Sequence, residues 1–525
     1  MRAHGTQFGK AFLDCGALAA ALKEKFKEDI LSLEIRARGR DLWLEISAPS
    51  FRPFVENLFE YDFVNFHVIS ADDAGDNAAL SYHLSIFQRN RGRRVGVTVT
   101  VKLPKNNLSI PSIFDLLPGS EYSEREIMEA FGVSFTPEKD GTGGGLSAAY
   151  TVPVGPIHAG LREPVTAWLE LDGERVTGAD VRPAIARMET EARVRDPIQA
   201  IYMAERICGT CSFSHVICLV RAIEDIARME VPARGQYIRT IVLELERIHS
   251  HVLWSGDVCR VIGFDSAFHL AMRIREQVMD VLTGMTGNRV NRGVGAFGGV
   301  RCDVTPGLAK AVRGMIRYYR REFEPFREIV LNDPIVRARM RGVGVLTSDE
   351  AVRYSVTGPT ARASGLRVDL RKSSPYEAYA DIPVEPVVPQ DFFGKAHGDA
   401  LDRFAVRVQE VYQSLDIIEK ALDSLPEGPF AAEQDPDKVM GCLKNADGTG
   451  WGIIEAPRGD NTHIVRLKAG DENVCRWKVR APTCANAACW PLMFRGSELA
   501  DAPLIINSID PCIACMNRMP VKGNN

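Results

Sequence analysis

Two Cys-x-x-Cys pairs set the strongest constraint on how this chain can fold. Cys208 and Cys211 stand in Glu205-Arg-Ile-Cys-Gly-Thr-Cys-Ser-Phe-Ser-His215, and Cys512 and Cys515 in Asp510-Pro-Cys-Ile-Ala-Cys515. About 300 residues separate the pairs, whereas a zinc ribbon closes its two pairs over roughly 15–20. If the four thiols share a site, the fold must bring the end of the chain back to its middle. On spacing alone a structural zinc, a redox disulfide and a catalytic thiolate metal site all stay open. The separation weighs toward the last, and thiolates favour soft metals, nickel and iron among them. The other eight of the twelve cysteines form no such pair and read as buried thiols. If 197–228 is one helix, Cys208, Cys211 and His215 follow at i, i+3 and i+7 and share a face. Gly209 admits close approach of a backbone or ligand.

Composition narrows the class. At 525 residues, with 45% hydrophobic and 25% charged positions, the chain reads as a folded protein of several domains rather than a disordered or fibrous one. A net charge of −4 gives no basic excess, so no nucleic-acid partner is expected. A membrane-spanning helix needs about 20 apolar residues, and one of the longer charge-free windows, 208–220, has 13 and contains His215. Asp14 breaks the apolar stretch near the N-terminus, which does not read as a secretory signal. The expected location is the cytoplasm, with any membrane association through partners.

The pattern changes along the chain. Residues 1–136 read as an α+β domain: a helix near 18–26, strands at 42–46, 63–69, 82–87 and 95–101, and a short helix at 122–132 stopped by Gly132. The Gly-rich stretch 137–149 reads as a linker. The remainder, 150–518, reads as a large, mainly α-helical domain. It opens with a hairpin at 168–176 around Asp172-Gly173, followed by helices near 197–228, 234–258, 268–286, 306–330 and 400–424. The last hundred residues read as short elements and loops.

The two cysteine motifs resemble the signatures of nickel–iron hydrogenase large subunits. The resemblance covers about 150–518 and extends to Gly155-Pro-Ile-His158 with Glu163, to Glu455-Ala-Pro-Arg-Gly459, and to Ala481-Pro-Thr483. Glu124-Arg-Glu-Ile-Met-Glu-Ala-Phe-Gly132 resembles the 30-kDa-type subunit of respiratory NADH:quinone oxidoreductase, and Glu244-Leu-Glu-Arg-Ile-His-Ser-His251 its 49-kDa-type subunit. A fusion of these parts with all four cysteines kept is similar to the catalytic subunit of membrane-bound, hydrogen-evolving hydrogenases of the formate hydrogenlyase type.

That resemblance implies roles. Cys208 and Cys512 would bind nickel alone, while Cys211 and Cys515 would bridge nickel and iron, the iron carrying carbon monoxide and cyanide. The pair would act as a Lewis acid toward dihydrogen while a nearby base takes the proton. His215 would hydrogen-bond the sulfur of bridging Cys211, and Arg458 would be the cation above the open metal position. Pro457 and Thr483 would face the iron's small ligands, and Glu163 would relay protons. Their bland counterparts are a packed core histidine, a surface salt bridge and an exposed Glu before Pro164. Arg518 stands where many uptake hydrogenases have a histidine that binds magnesium or iron, and an arginine cannot ligate a cation. This counts against a third metal.

The implied function is reversible proton reduction in a membrane-associated complex on the cytoplasmic face of the inner membrane. The implied partners are a small subunit carrying a four-iron cluster, ferredoxin-like and integral-membrane subunits, nickel and iron maturation proteins, and a C-terminal endopeptidase. That endopeptidase would cut between Arg518 and Met519 and release the tail 519–525. The N-terminal domain would dock partners. The alternatives are a quinone-reducing, energy-coupling subunit of a complex I-like NADH:quinone oxidoreductase and a non-catalytic scaffold that keeps a structural metal.

Overall fold

A computed structural model describes residues 14–36, 40–88, 93–136, 150–183 and 195–516. The expected linker 137–149, Arg518 and the tail 519–525 lie outside the described residues. The chain divides into two compact units, the first running to Gly145 and the second carrying most of the rest.

In the first unit, runs of β-branched and aromatic residues form a mixed five-stranded sheet ordered β1-β2-β5-β4-β3. Its strands are β1 (Ile30–Arg36), β2 (Asp41–Ile46), β3 (Phe63–Ala74), β4 (Asn77–Gln88) and β5 (Arg93–Pro104). Only β2 and β5 pair in parallel. Helices α1 (Cys15–Phe26) and α2 (Phe51–Leu58) bury Leu18, Leu22, Phe51 and Phe54 in one apolar cluster with Tyr82, Val97 and Val99. Helix α3 (Glu121–Phe131) stops at Gly132, which turns left-handed (φ 67) and closes its N–H onto the Met128 carbonyl. The buried Glu124 carboxylate in this motif accepts hydrogen bonds from Ser112, Ser120 and the Ile113 N–H, and so acts as a structural tie. Strand β1 escapes the sequence pattern because it is an edge with half-exposed and exposed residues and no alternation to read.

The second unit is the mainly helical body the sequence implies. It opens with a three-stranded sheet: β6 (Thr151–Val154), β7 (Val165–Asp172) and β8 (Arg175–Pro183). The expected helix at 197–228 is two helices, α4 (Pro197–Ala204) and α5 (Ser212–Ala227). Periodicity cannot see the cause. The Glu246 carboxylate, from the next helix, accepts the Phe213 and Ser214 N–H groups at 2.8 and 2.9 Å and caps α5 there. Cys208 therefore lies in the loop and Cys211 at the N-cap, not together on one helical face.

Helices α6 (Ala233–Val261) and α7 (Asp265–Thr286) follow. The expected helix at 306–330 also breaks, into α8 (Pro306–Glu322) and α9 (Glu324–Asn332), because Pro325 lacks the N–H a continuous helix needs and sits instead in the first turn of α9. Helix α10 (Ala400–Asp423) packs with α6 in the main apolar core.

The C-terminal region is more ordered than its composition suggests. Strands β9 (Gly448–Ala456), β10 (Gly459–Leu467) and β11 (Arg476–Arg480) form an antiparallel sheet. Gly450 and Gly452 in β9 weaken its strand signal, yet they allow the packing. A Cβ on them would sit 2.0 Å from the Ala222 carbonyl oxygen and 1.9 Å from that of Cys218, so β9 lies backbone to backbone against α5.

Candidate metal centre

The middle and the end of the chain do meet. Cys512 Sγ lies 3.4 Å from Cys208 Sγ and 2.7 Å from Cys515 Sγ. The sulfurs of Cys208, Cys211 and Cys515 lie within 4.8 Å of one another. All four are free thiols and at most 9% exposed.

Four crowded, buried thiols cannot all ionise without a cation. Cys208 is drawn toward the thiolate by hydrogen bonds from Cys211, Cys512 and Cys515. Cys211 and Cys512 are pushed up by the hydrogen bonds they give Cys208, and Cys515 by burial. Such a set resists full ionisation by itself, and a soft divalent metal would deprotonate it outright. The donor set therefore fits a soft divalent metal, and with it the nickel–iron centre that the resemblance implies. Another group with metal-like spacing, His397, Asp399 and Asp402, already surrounds a cation: Arg341 Nη1 lies 2.8 Å from His397 Nδ1, 3.0 Å from Asp399 and 2.7 Å from Asp402.

Pro457 and Arg458 form the two-residue turn between β9 and β10, and both are buried. The Arg458 guanidinium donates from Nε to the Asp510 carbonyl (2.9 Å), pairs through Nη2 with the Asp510 carboxylate (3.0 Å) and points Nη1 at Cys211 Sγ (3.7 Å). The bland reading, a surface salt bridge, does not describe it. Behind the turn, Arg247 donates to the carbonyls of Glu455 (2.7 Å) and Ala456 (3.2 Å) while pairing with Glu244, so a buried ion pair on α6 holds the turn in place.

His215 is fully buried. Its sulfur partner differs from the expected Cys211: Nε2 lies 3.6 Å from Cys515 Sγ. His463 and Asn461 occupy its Nδ1 side, each at 3.1 Å, which leaves Nε2 facing Cys515. The expected one-turn spacing itself holds, since the His215 N–H lies 3.3 Å from the Cys211 carbonyl. Burial holds this imidazole down to about 4.

Glu163 precedes β7, and its carboxylate accepts the Ile513 N–H, one residue past Cys512. Burial raises its pKa, against the lowering effect of that hydrogen bond. Thr483 Oγ1 accepts the Cys512 N–H at 3.1 Å. The expected residues Cys208, Cys211, Cys512, Cys515, His215, Arg458, Thr483 and Glu163 are thus linked by direct contacts around the thiols, and Pro457 is the buried neighbour of Arg458 in its turn.

Several neighbours escape sequence reasoning. Asp510, with φ 55 and no exposure, is held by both Arg458 and Arg162, and Arg162 also pairs with Asp257. His463 and Asn461 on β10 reach His215. A non-glycine residue held left-handed beside a signature cysteine leaves no trace in spacing, although the Asp-Pro-Cys motif does contain it. A single histidine in a strand carries no signal at all.

Comparison with known proteins agrees with this geometry. The family described as "Nickel-dependent hydrogenase" matches residues 187–257. The 49 Kd and 30 Kd subunits of respiratory-chain NADH dehydrogenase match 261–518 and 44–142. The membrane-bound hydrogenase subunit alpha of Pyrococcus furiosus is 43% identical over 374 residues, 70% of this chain and 88% of that one. The chain belongs to the nickel–iron hydrogenase catalytic-subunit family, in its membrane-bound, complex I-related branch. It is an oxidoreductase acting on hydrogen. Formate hydrogenlyase subunit 5 of Escherichia coli is 31% identical over 85% of this chain and 84% of its own length. A chain in the solved structure of a membrane-bound sulfane sulfur reductase, an archaeal respiratory membrane complex, superposes with a TM-score of 0.65 at 31% identity over 70% of this chain and 98% of that one. Among the described residues no helix is long and apolar enough to cross a membrane.

Proposed function

We propose that this chain is the catalytic subunit of a membrane-associated complex that reduces protons to dihydrogen, reversibly, at a thiolate-held nickel–iron centre. The observation that carries this reading is the meeting of four buried free thiols from segments 304 positions apart. Cys208 and Cys512 would hold nickel alone, and Cys211 and Cys515 would be shared with an iron that carries carbon monoxide and cyanide. The bound pair would supply a Lewis acid for dihydrogen.

The chain's own groups do the rest. Arg458 fixes a positive charge in a dry site, where it acts more strongly than in water. Glu163, with its raised pKa, takes and returns protons at its carboxylate. Pro457 offers an apolar wall to the iron's small ligands, and Thr483, a hydroxyl that accepts from Cys512, can donate its own proton to them. The first unit docks partners. Electrons come from a small subunit with a four-iron cluster, beside ferredoxin-like and integral-membrane subunits on the cytoplasmic face of the inner membrane.

A second reading, a quinone-reducing subunit, has support from the two respiratory-chain family matches. Nickel separates them. The purified complex should hold about one nickel per chain and evolve hydrogen from a reduced low-potential dye, and Cys512→Ala should lose both. Full nickel and activity in that variant would sink the assignment, and quinone reduction without nickel would favour the second reading.

A further inference from the structure

A chain of buried hydrogen bonds leads away from the thiol cluster. Trp477 Nε1 lies 3.1 Å from His463 Nδ1. His463 Nε2 lies 3.1 Å from His215 Nδ1, and His215 Nε2 lies 3.6 Å from Cys515 Sγ. Trp477, His463 and His215 are each at most 1% exposed. The sheet builds this alignment. His463 on β10 pairs with Val479 on β11, so Trp477, two residues before Val479, is its diagonal neighbour on the same face. Asn461, two residues before His463, shares that face and brings Nδ2 within 3.1 Å of His215 Nδ1.

The chemistry gives this chain a direction. An indole N–H can only donate, so His463 Nδ1 must present a lone pair. A neutral ring then carries its proton on Nε2, which faces His215 Nδ1. That nitrogen must accept in turn, so the His215 proton sits on Nε2, aimed at Cys515. The Asn461 amide, also donating to Nδ1, agrees with the same arrangement. A protonated His463 would set N–H against the indole N–H.

We propose that Trp477, His463 and Asn461 are positioning residues that fix the tautomer of His215, making it an obligatory N–H donor to the Cys515 sulfur. A donor on a metal-bound thiolate withdraws charge from it and makes the centre easier to reduce. This consequence rests on the nickel–iron reading of the cluster. The tautomer does not.

The test is ring-nitrogen NMR on the assembled enzyme labelled with [15N]histidine. His215 and His463 should both carry their proton on Nε2. An Nδ1 proton on either ring in the wild-type enzyme overturns the proposal, whatever the nickel content. Trp477→Phe keeps an aromatic plane and removes the donor, and it is combined with Asn461→Leu because that amide donates to the same His215 nitrogen. The double variant should release the Nε2–H preference of His215, lower turnover about 10-fold at unchanged nickel content, and shift the midpoint potential of the nickel centre to a more negative value. His463→Gln can accept from Trp477 and donate to His215, so it should retain the tautomer and most of the turnover. His463→Leu, also combined with Asn461→Leu, should behave in the same way as the first double variant. An unchanged His215 tautomer and potential in both double variants would reduce these residues to packing. If those variants do not fold, the wild-type spectrum still decides.

Discussion

Replacing Arg458 by lysine separates its charge from its shape. The guanidinium makes three contacts at once: the Asp510 carbonyl at 2.9 Å, the Asp510 carboxylate at 3.0 Å and Cys211 Sγ at 3.7 Å. An ammonium on a flexible stem can keep the pair with Asp510 but cannot reproduce the fork. Keeping that pair matters, because an uncompensated buried charge costs about 3–5 kcal/mol. The lysine variant should therefore fold and load nickel, losing only the about 1–3 kcal/mol of one unsatisfied carbonyl. What it gives up is a donor held at a fixed point beside the cluster. Removing one such oriented donor costs about 2.7–4 kcal/mol of barrier, or about 10²–10³ in turnover. Arg458→Met, which leaves Asp510 only its pair with the part-exposed Arg162 at 3.2 Å, should instead destabilise the chain by more than the lysine variant, up to that larger figure. The assay is nickel per chain, thermal unfolding and hydrogen evolution on one preparation of each variant. Wild-type turnover in the lysine variant would show that the position of the guanidinium is irrelevant. Loss of nickel would make Arg458 part of the scaffold rather than of the chemistry.

Three further outcomes are expected. Glu163→Gln should slow H/D exchange by about 10²-fold or more while leaving nickel content and the spectrum of the centre intact, because Gln keeps the shape but cannot ionise; normal exchange places the proton route elsewhere. Gly452→Ala puts a Cβ 1.9 Å from the Cys218 carbonyl oxygen, so β9 and α5 must part by about 1 Å. That should cost about 1–3 kcal/mol of stability and up to about 10² in activity, since the two elements carry Arg458 and His215; an unchanged melting temperature and rate would refute the close packing. His251, 2.8 Å from Glu410, has its pKa held down to about 4 by burial. Its ordinary value is about 6.5, so below that pH the unfolded chain takes up a proton that the folded chain refuses, and the stability this ring contributes is lost as pH falls. The destabilisation caused by His251→Gln should accordingly shrink by about 2 kcal/mol between pH 7.5 and pH 5. A penalty independent of pH would mean that the ring titrates in the folded protein as it does in the unfolded chain, and a penalty that grows as pH falls would mean that the folded protein holds it charged.

These positions also show which parts of the protein could be read in advance. The thiol quartet was legible because each half is a motif four residues long, and Arg458 because it sits in another short motif. The ends of α3 and the hairpin turn at Gly173 were legible because glycine chemistry is local. The break between α4 and α5 was not, because its cause is Glu246, 33 positions from the N–H it caps. Strand β9 was not, because Gly450 and Gly452 are chosen for what α5 presses against them rather than for strand propensity. The same holds at the site. Asp510, Asn461 and His463 act only through partners delivered by the fold, and so does Arg247, which looks like one more helical charge until its guanidinium is seen on the Glu455 and Ala456 carbonyls.

That division has a mechanistic consequence. Residues that touch the sulfurs set what chemistry is available, but their geometry is fixed from the far side by groups with no motif of their own. Arg247 holds the turn that aims Arg458, Arg162 holds the Asp510 that receives it, and Trp477 orders the imidazoles behind Cys515. Each contact leads to a different element: α6, the segment before β7, and β11. A substitution at any one of them should therefore leave the other two supports in place and disturb one side of the cluster alone. Loss of all activity from Arg247→Met with the His215 tautomer unchanged would fit three separate supports. A change in that tautomer on removing Arg247 would mean that the supports act as a single coupled unit.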